Sequence, residues 1–340
     1  MKGLRILAML TALLCLVSLT ACHKKGKEDT TTVPDSSIYT VSFKTGGGDD
    51  PESVRVTAGS PVPEPIPPVK DGYVFKAWLH GTSEWHFSLD KVTSDITLTA
   101  QWISLGSLFE SIEKTDETGY LYTYKTSSLI TLRLPDRTAK GTPIVGIADG
   151  AFAGADQNVD ADNVPYLKYV MLGKGITHVG AEAFAGCSAE IRAEGELLML
   201  GEGAFAGCTG LGEIRLAEGM TAIPPEAFAG CTGLEEIAIP CSVQTIEENA
   251  FEGCSSLKTV FLGSAVSTVK DSAFVDCEAL EEVYYYGADQ AAFDAIEIAE
   301  GNNGNTALLQ AALYFYAEEA PAVDDNRHWY VNEDGRVRIW

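Results

Sequence analysis

The sequence predicts a mainly β fold in which a short unit repeats as a solenoid behind a small β-domain. Three observations predict it. Phenylalanines at 152, 184, 205, 228, 251 and 274 stand 32, 21, 23, 23 and 23 residues apart. Most of them sit in a recurring phrase, Ala183-Phe184-Ala185-Gly186-Cys187 being one copy. Ahead of these copies, residues 39–102 alternate apolar and polar positions with the two-residue period of half-buried strands.

The phrase returns as Ala204 to Cys208, Ala227 to Cys231, Ala250 to Cys254 and Ala273 to Cys277, while the first copy, Ala151 to Ala155, lacks the cysteine. Four residues before each Ala-Phe pair stands an aliphatic: Ile147, Val179, Leu200, Ile223, Ile246 and Val269. Leu211, Leu234, Leu257 and Leu280 follow the last four cysteines by three positions, each leading into a short strand such as Glu236-Ile237-Ala238-Ile239. A period near 23 residues is one coil of a leucine-rich-repeat solenoid, in which equivalent side chains stack at the ~4.8 Å strand separation. One coil cannot bury its own apolar face, so each is stable only between neighbours. Truncating an interior phenylalanine such as Phe228 should cost about 3 to 5 kcal/mol. Two departures stand out. The first repeat has about nine extra residues around Gln157 to Pro165, expected to form an extruded loop, and the second is two residues short near Ser188 to Glu190.

Ala-Phe-x-Gly-Cys followed by two residues and a leucine resembles the BspA-type leucine-rich repeats of bacterial surface proteins. The resemblance covers residues 144 to about 286 as six coils and implies attachment to host or neighbouring-cell proteins. Tyr284-Tyr285-Tyr286 and Tyr314-Phe315-Tyr316 are similar to segments in that family's C-terminal regions. Residues 103–143 and 287–340 are expected to cap the two ends. The first cap carries strand-like runs at Tyr120 to Tyr124 and Ile130 to Leu134. The second closes on a hairpin, Trp329-Tyr330-Val331 turning through Asn332 to Gly335 into Val337 to Trp340.

In the preceding unit the alternating pairs are Val41 with Phe43, Val54 with Val56, Tyr73 with Phe75 and Ile96 with Leu98, separated by Gly46 to Gly48 and a proline-rich stretch from Pro61 to Pro68. Together with Asp71-Gly72-Tyr73-Val74-Phe75-Lys76-Ala77-Trp78 and Thr93 to Leu98 closing on Trp102, this order resembles the Listeria-Bacteroides repeat of internalin-type surface proteins. That resemblance implies a ubiquitin-like β-grasp fold serving as a spacer or a binding module. Trp78 and Trp102 are either core residues, as tryptophans in so small a unit usually are, or stacking platforms for a sugar.

The N-terminus reads as an address. Lys2 and Arg5 precede the apolar run Ile6 to Leu19, which is short for a spanning helix and ends in Leu19-Thr20-Ala21-Cys22. These four positions are similar to the lipobox of bacterial lipoproteins, which implies a signal peptide at residues 1–21, lipidation of Cys22 and an extracytoplasmic location. At about 0.8 kcal/mol per buried methylene, two or more acyl chains hold a protein stably on a membrane. Residues 22–38, polar and without apolar period, are expected to be a tether.

The formal charge is −24, from 24 basic and 48 acidic residues. Such a surface repels phosphate backbones and anionic lipid headgroups, which argues against nucleic acid as a partner and leaves membrane contact to the lipid anchor alone. Of the eight cysteines, Cys15 falls in the expected signal peptide and Cys22 is the expected lipidation site; Cys187, Cys208, Cys231, Cys254 and Cys277 lie at repeat-equivalent positions and are read as buried core thiols, with Cys241, just after a strand, the one accessible thiol. No metal set, nucleophile elbow or phosphate loop stands in the sequence, and the five histidines are scattered at 23, 80, 86, 178 and 328. The expectation is a non-enzymatic protein without cofactor.

Alternation places two columns of side chains on the outside of the repeat strands. One is Tyr169, Glu190, Glu213, Glu236, Thr259 and Glu282, and the other Met171, Arg192, Arg215, Ala238, Phe261 and Tyr284. Phe261, Tyr284 and nearby Tyr286 put aromatics where coil packing does not require them, a pattern typical of interface anchors. The expected ligand is an extracellular or host protein held on this face. Glycan or cell-wall binding by the 39–102 domain is the alternative.

Overall fold

The computed structural model describes residues 37–115, 118–124, 129–152, 155, 167–299, 304–321, 326–332 and 334–339. The expected signal peptide, the lipidation site Cys22, most of the tether and the extruded loop at 157–165 lie outside them.

The N-terminal unit is one five-stranded sheet built from β1 (Ile38–Lys44), β2 (Val54–Thr57), β3 (Tyr73–His80), β4 (Ser83–Glu84) and β5 (Ile96–Ser104), in the order β2-β1-β5-β3-β4. The central pair, β1 and β5, is parallel and the other pairings are antiparallel. Because side chains alternate across a strand, Val41, Phe43, Ile96 and Leu98 fall on one face, where they meet Val62, Trp78, Trp85 and Val92 in a core of their own. A β-grasp would place a helix between β2 and β3. Residues 58–72 form none, because Pro61, Pro63, Pro65, Pro67 and Pro68 lack the amide hydrogens a helix needs, so an extended segment covers the core through Val62 instead.

This unit is fastened to the first turns of the solenoid. Gly72 donates its N–H to the Arg137 carbonyl at 2.7 Å, and Val74 and Leu105 join the solenoid core. Gly72 has φ +78 and lies so close to Ala139 that a Cβ would overlap that residue's backbone, so only glycine fits this junction.

From residue 118 onward the chain coils. A representative coil runs outward strand Glu236–Ala238, corner, second strand Thr245–Ile246, then the Ala250-Phe251 turn. Outward strands pair in parallel, Glu236 beside Thr259 beside Glu282, and so do the second strands, Thr245 beside Thr268 beside Glu297. On the turn side each of the first five phenylalanines, Phe152 to Phe251, donates its N–H to an alanine carbonyl of the next coil, Phe228 to Ala250 and Phe251 to Ala273, both at 2.8 Å. The glycine of each phrase holds a positive φ, +73, +71, +70 and +67 at Gly186, Gly207, Gly230 and Gly253, which is why glycine recurs there.

The recurring phenylalanines form one column. Rings 152, 184, 205, 228, 251 and 274 stack with centroids 4.5 to 5.7 Å apart and planes within 22°. All six are buried. The cysteines of the phrase run alongside. Cys208, Cys231, Cys254 and Cys277 are buried, and each thiol donates to the phenylalanine carbonyl of the preceding coil at 3.0 to 3.2 Å. Loss of water is the main reason the pKa values of Cys231, Cys254 and Cys277 rise, to about 12 for Cys277. A protonated thiol is both the donor this ladder uses and a poor nucleophile.

Both ends of the column carry stand-ins that no repeat pattern marks. At the start, Tyr124 stacks on Phe152 at 5.1 Å and gives its N–H to Ala151. At the finish, Phe274 has no following alanine. Its N–H instead meets Oδ1 of buried Asn305 at 3.0 Å, while Asn305 Nδ2 donates to the carbonyls of Lys270 and Ala299, both at 2.9 Å. Beyond it, Ala312–Tyr316 and His328–Val331 extend the outward sheet in parallel, and Val337–Ile339 closes it as the antiparallel arm of a hairpin.

Candidate functional site

The outward strands carry the residues singled out in the sequence, and the structure divides them. Tyr169 stands beside Glu190 and Met171 beside Arg192 in a three-stranded sheet with Thr131–Arg133. Tyr169 and Arg192 are exposed, and Met171 is half-buried. Arg192 is turned back onto Glu190, with both Nε and Nη2 at 2.5 Å from one carboxylate oxygen. Glu236 and Glu282 lie in a separate, six-stranded sheet together with Phe261, Tyr284 and Tyr285.

The expected columns are therefore not continuous. Glu213 and Arg215 belong to a coil that forms no outward strand, although Ile214 between them is buried. The two residues missing near Ser188 to Glu190 explain the break. The short connection seats Ile191 beside Leu211 rather than Ile214, and the next segment slides so that Leu216 bridges Leu197. Leu197 N–H meets the Arg215 carbonyl at 2.8 Å, and Ala217 N–H meets the Leu197 carbonyl at 2.8 Å. Arg215 is exposed on this shifted segment, its Nη2 reaching only the Glu194 carbonyl, at 3.4 Å. The phenylalanine column runs on through the fault, Phe205 to Phe228 being its longest step at 5.7 Å.

The aromatic patch needs a larger correction. Tyr284 is buried, and Phe261 and Tyr286 are half-buried, because Trp329 folds over them from the C-terminal hairpin. Its indole, 0% exposed, meets Phe261, Tyr284, Tyr286 and Tyr316 edge-on at 5.8, 5.5, 4.8 and 5.2 Å, and Nε1 donates to the Tyr285 carbonyl at 3.2 Å. Tyr314 extends the stack from Tyr284 at 5.0 Å. These rings are thus a second, outer core that locks the cap to the coils. Burial, with lesser contributions from Cys241, Tyr316 and Glu218, pushes the Tyr286 hydroxyl up to about 12. Burial and then the Glu282 carboxylate raise Tyr284, whose hydroxyl donates to Glu282 Oε2 at 3.1 Å.

What remains open on the face is acidic. Loss of water beside the neighbouring coil and then the Glu213 charge raise the Glu236 carboxyl above its ordinary range. Among the described residues three of the basic groups nearby pair with acids, Arg192 with Glu190, Arg133 with Glu194 and Lys258 with Glu235, while exposed Arg215 reaches a backbone carbonyl. In the N-terminal unit Trp78 is buried against Phe43 and Phe75, and Trp102, half-buried, gives its indole N–H to the Thr45 carbonyl at 2.7 Å. Neither is a free platform for a sugar ring.

Comparison with known proteins agrees with the ladder geometry. Residues 162–286 match the BspA type leucine rich repeat region in six copies. Its coils are BspA-type leucine-rich repeats. Residues 39–101 match the Listeria-Bacteroides repeat domain. Internalin H of Listeria monocytogenes is 39% identical over 77 residues, 22% of this chain and 14% of that protein. The chain spans 8 to 14% of the length of the curated relatives it matches. Among solved structures, a leucine rich cell surface protein of Faecalibacterium prausnitzii has 25% identity and a TM-score of 0.38, covering 56% of this chain and 41% of that one. The leucine rich repeat protein of T. pallidum has 27% identity and a TM-score of 0.35, covering 52% and 69%. Among the described residues no helix is long and apolar enough to cross a membrane.

Proposed function

We propose that the protein is a non-enzymatic, extracytoplasmic lipoprotein, anchored through Cys22, that holds protein ligands against the outward strand face of its repeats. The observation that carries this reading is the open N-terminal half of that face, where Tyr169 is 46% exposed on a sheet whose backing is a fully packed core. A rigid sheet presenting unburied side chains loses little conformational entropy when a partner lands on it. The acids are strung along the ladder at Glu190, Glu236 and Glu282 rather than gathered around a cleft, which favours recognition over acid–base chemistry. Leucine-rich-repeat membership and the likeness of part of the chain to Internalin H support a surface role.

Capture of cell-surface proteins by the full chain tests the reading. A Tyr169→Asp, Glu236→Lys double variant should keep its fold, since both side chains are exposed, and should lose the captured partner. Undiminished capture contradicts binding on this face. Replacing Cys22 by alanine should shift the protein from the membrane to the soluble extracytoplasmic fraction. Retention on the membrane removes the anchor.

A further inference from the structure

The repeat fold and the N-terminal unit meet at a groove that neither alone contains. One wall is the extended segment Glu64 to Pro67, and the floor is the outward side of the first strands, with Tyr169 and Met171 at its centre and Glu190 and Arg192 at its edge. The groove has a volume of about 510 Å³ and is mostly apolar. Ile66 in the wall is 73% exposed and Tyr169 in the floor 46%, so two large side chains face water across a space of peptide size.

The wall is held in place yet cannot close. Arg133, largely buried on the first outward strand, donates from Nη1 to the Pro67 carbonyl and pairs through Nη2 with Glu194 at 2.5 Å, which pins the segment to the sheet. Closing the groove would require the segment to dock as another strand. Pro65 and Pro67 have no N–H to give a ladder, so the slot between wall and strands stays open.

We propose that this groove docks an extended segment of a partner protein that carries an apolar side chain flanked by lysine or arginine. This rests on the protein-binding reading above and narrows it to one place and one chemistry. The apolar side chain fills the space between Ile66, Pro65 and Tyr169, burying surface that is exposed in the free protein. Basic flanks follow from the charges. Arg192 is neutralised by Glu190, and among the described residues Glu64 has no ion-pair partner, so the groove lining carries one unmatched negative charge. Farther along the face Glu213 and Glu236 crowd one another with exposed Arg215 beside them, and the chain as a whole is at −24. A cationic segment is attracted over this distance and an acidic one repelled. The proline wall also presents carbonyl acceptors in excess of donors, which suits ammonium and guanidinium groups.

The probe is a panel of synthetic peptides with a central Leu, Ile, Phe, Tyr or Trp between paired lysines, and a matched panel with paired glutamates, measured by fluorescence anisotropy against the full chain. Lysine-flanked members should bind, more weakly as salt is raised. Ile66→Asp should weaken them about tenfold, and Glu64→Lys should abolish the preference for lysine over glutamate flanks. Both side chains are exposed, so neither variant threatens the fold. Absence of binding up to about 1 mM, preference for glutamate flanks, or binding indifferent to both variants overturns the proposal. Capture of surface proteins that survives Ile66→Asp but is lost in Glu236→Lys also overturns it while leaving the broader face in place; loss of capture in neither variant rejects both.

Discussion

Replacing Asn305 by alanine should unzip the solenoid from its C-terminal end. This side chain acts as the missing seventh coil, accepting from the Phe274 N–H and donating to the carbonyls of Lys270 and Ala299, while only 1% exposed. Alanine leaves the buried Phe274 N–H and the half-buried Ala299 carbonyl without these partners, while the Lys270 carbonyl keeps the Ala273 N–H at 3.4 Å. Each orphaned group costs about 1 to 3 kcal/mol, and partial access of water at the chain end lowers the sum, so a loss of about 2 to 4 kcal/mol is expected. In a stack of coils that touch only their neighbours, such a loss separates the last coil from the rest rather than lowering every coil equally. Hydrogen exchange read residue by residue should therefore show faster exchange at Phe274 and Gly253, with Phe205 unchanged, and chemical denaturation should become broader. A variant within about 0.5 kcal/mol of the parent, with the Phe274 amide still protected, would refute the assignment of Asn305 as the terminus of the ladder. Asn305→Asp provides a control: it keeps the acceptor but aims a carboxylate at two carbonyls, and should be no less damaging than alanine.

Three other outcomes are expected from the geometry. Glu226 has φ 55 at a position where Gly150 and Gly203 have φ 59; relief of about 1 to 2 kcal/mol of left-handed strain, less the greater freedom glycine has in the unfolded chain, gives Glu226→Gly a gain of roughly 0.5 to 1 kcal/mol, read as a raised denaturation midpoint. Cys277 and Tyr286 have folded pKa values of about 12, raised from 9.0 and 10.0, so the unfolded chain gives up these protons first; stability should be unaffected by these groups below about pH 9 and should fall as pH rises from there toward 12, and a denaturation midpoint that is flat across that window contradicts the burial argument. Cys241 is half-exposed while Cys187, Cys208, Cys231, Cys254 and Cys277 are buried, so native alkylation followed by mass spectrometry should mark Cys241 and leave the others until unfolding; equal labelling of Cys231 argues against the thiol ladder.

How much is legible in the sequence depends on whether the signal is local and repeated. The phenylalanine column is, because the same phrase recurs every 23 residues and only stacking gives six identical residues the same environment. The cysteines read as core for the same reason, and the C-terminal hairpin reads from its turn residues. The outward aromatics mislead. Alternation states correctly that Phe261 and Tyr284 leave the coil's own core, but it is silent about what arrives from elsewhere, and Trp329 arrives from 44 residues beyond Tyr285. The break at Arg215 is half-visible: the two-residue deletion near Ser188 to Glu190 is plain in the sequence, yet its consequence appears one coil later, where Leu211 rather than Ile214 meets Ile191.

By itself the sequence determined the coil, its period, the inward column and the strand alternation of the N-terminal unit, since each of these is enforced by neighbours a fixed number of residues away. Only the tertiary structure decided which outward residues stay outside, where the ladders end and where a groove opens. Those features arise from single contacts between distant, non-repeated segments, Asn305 with Phe274, Trp329 with Tyr286, Arg133 with Pro67, and a contact made once leaves no period to read.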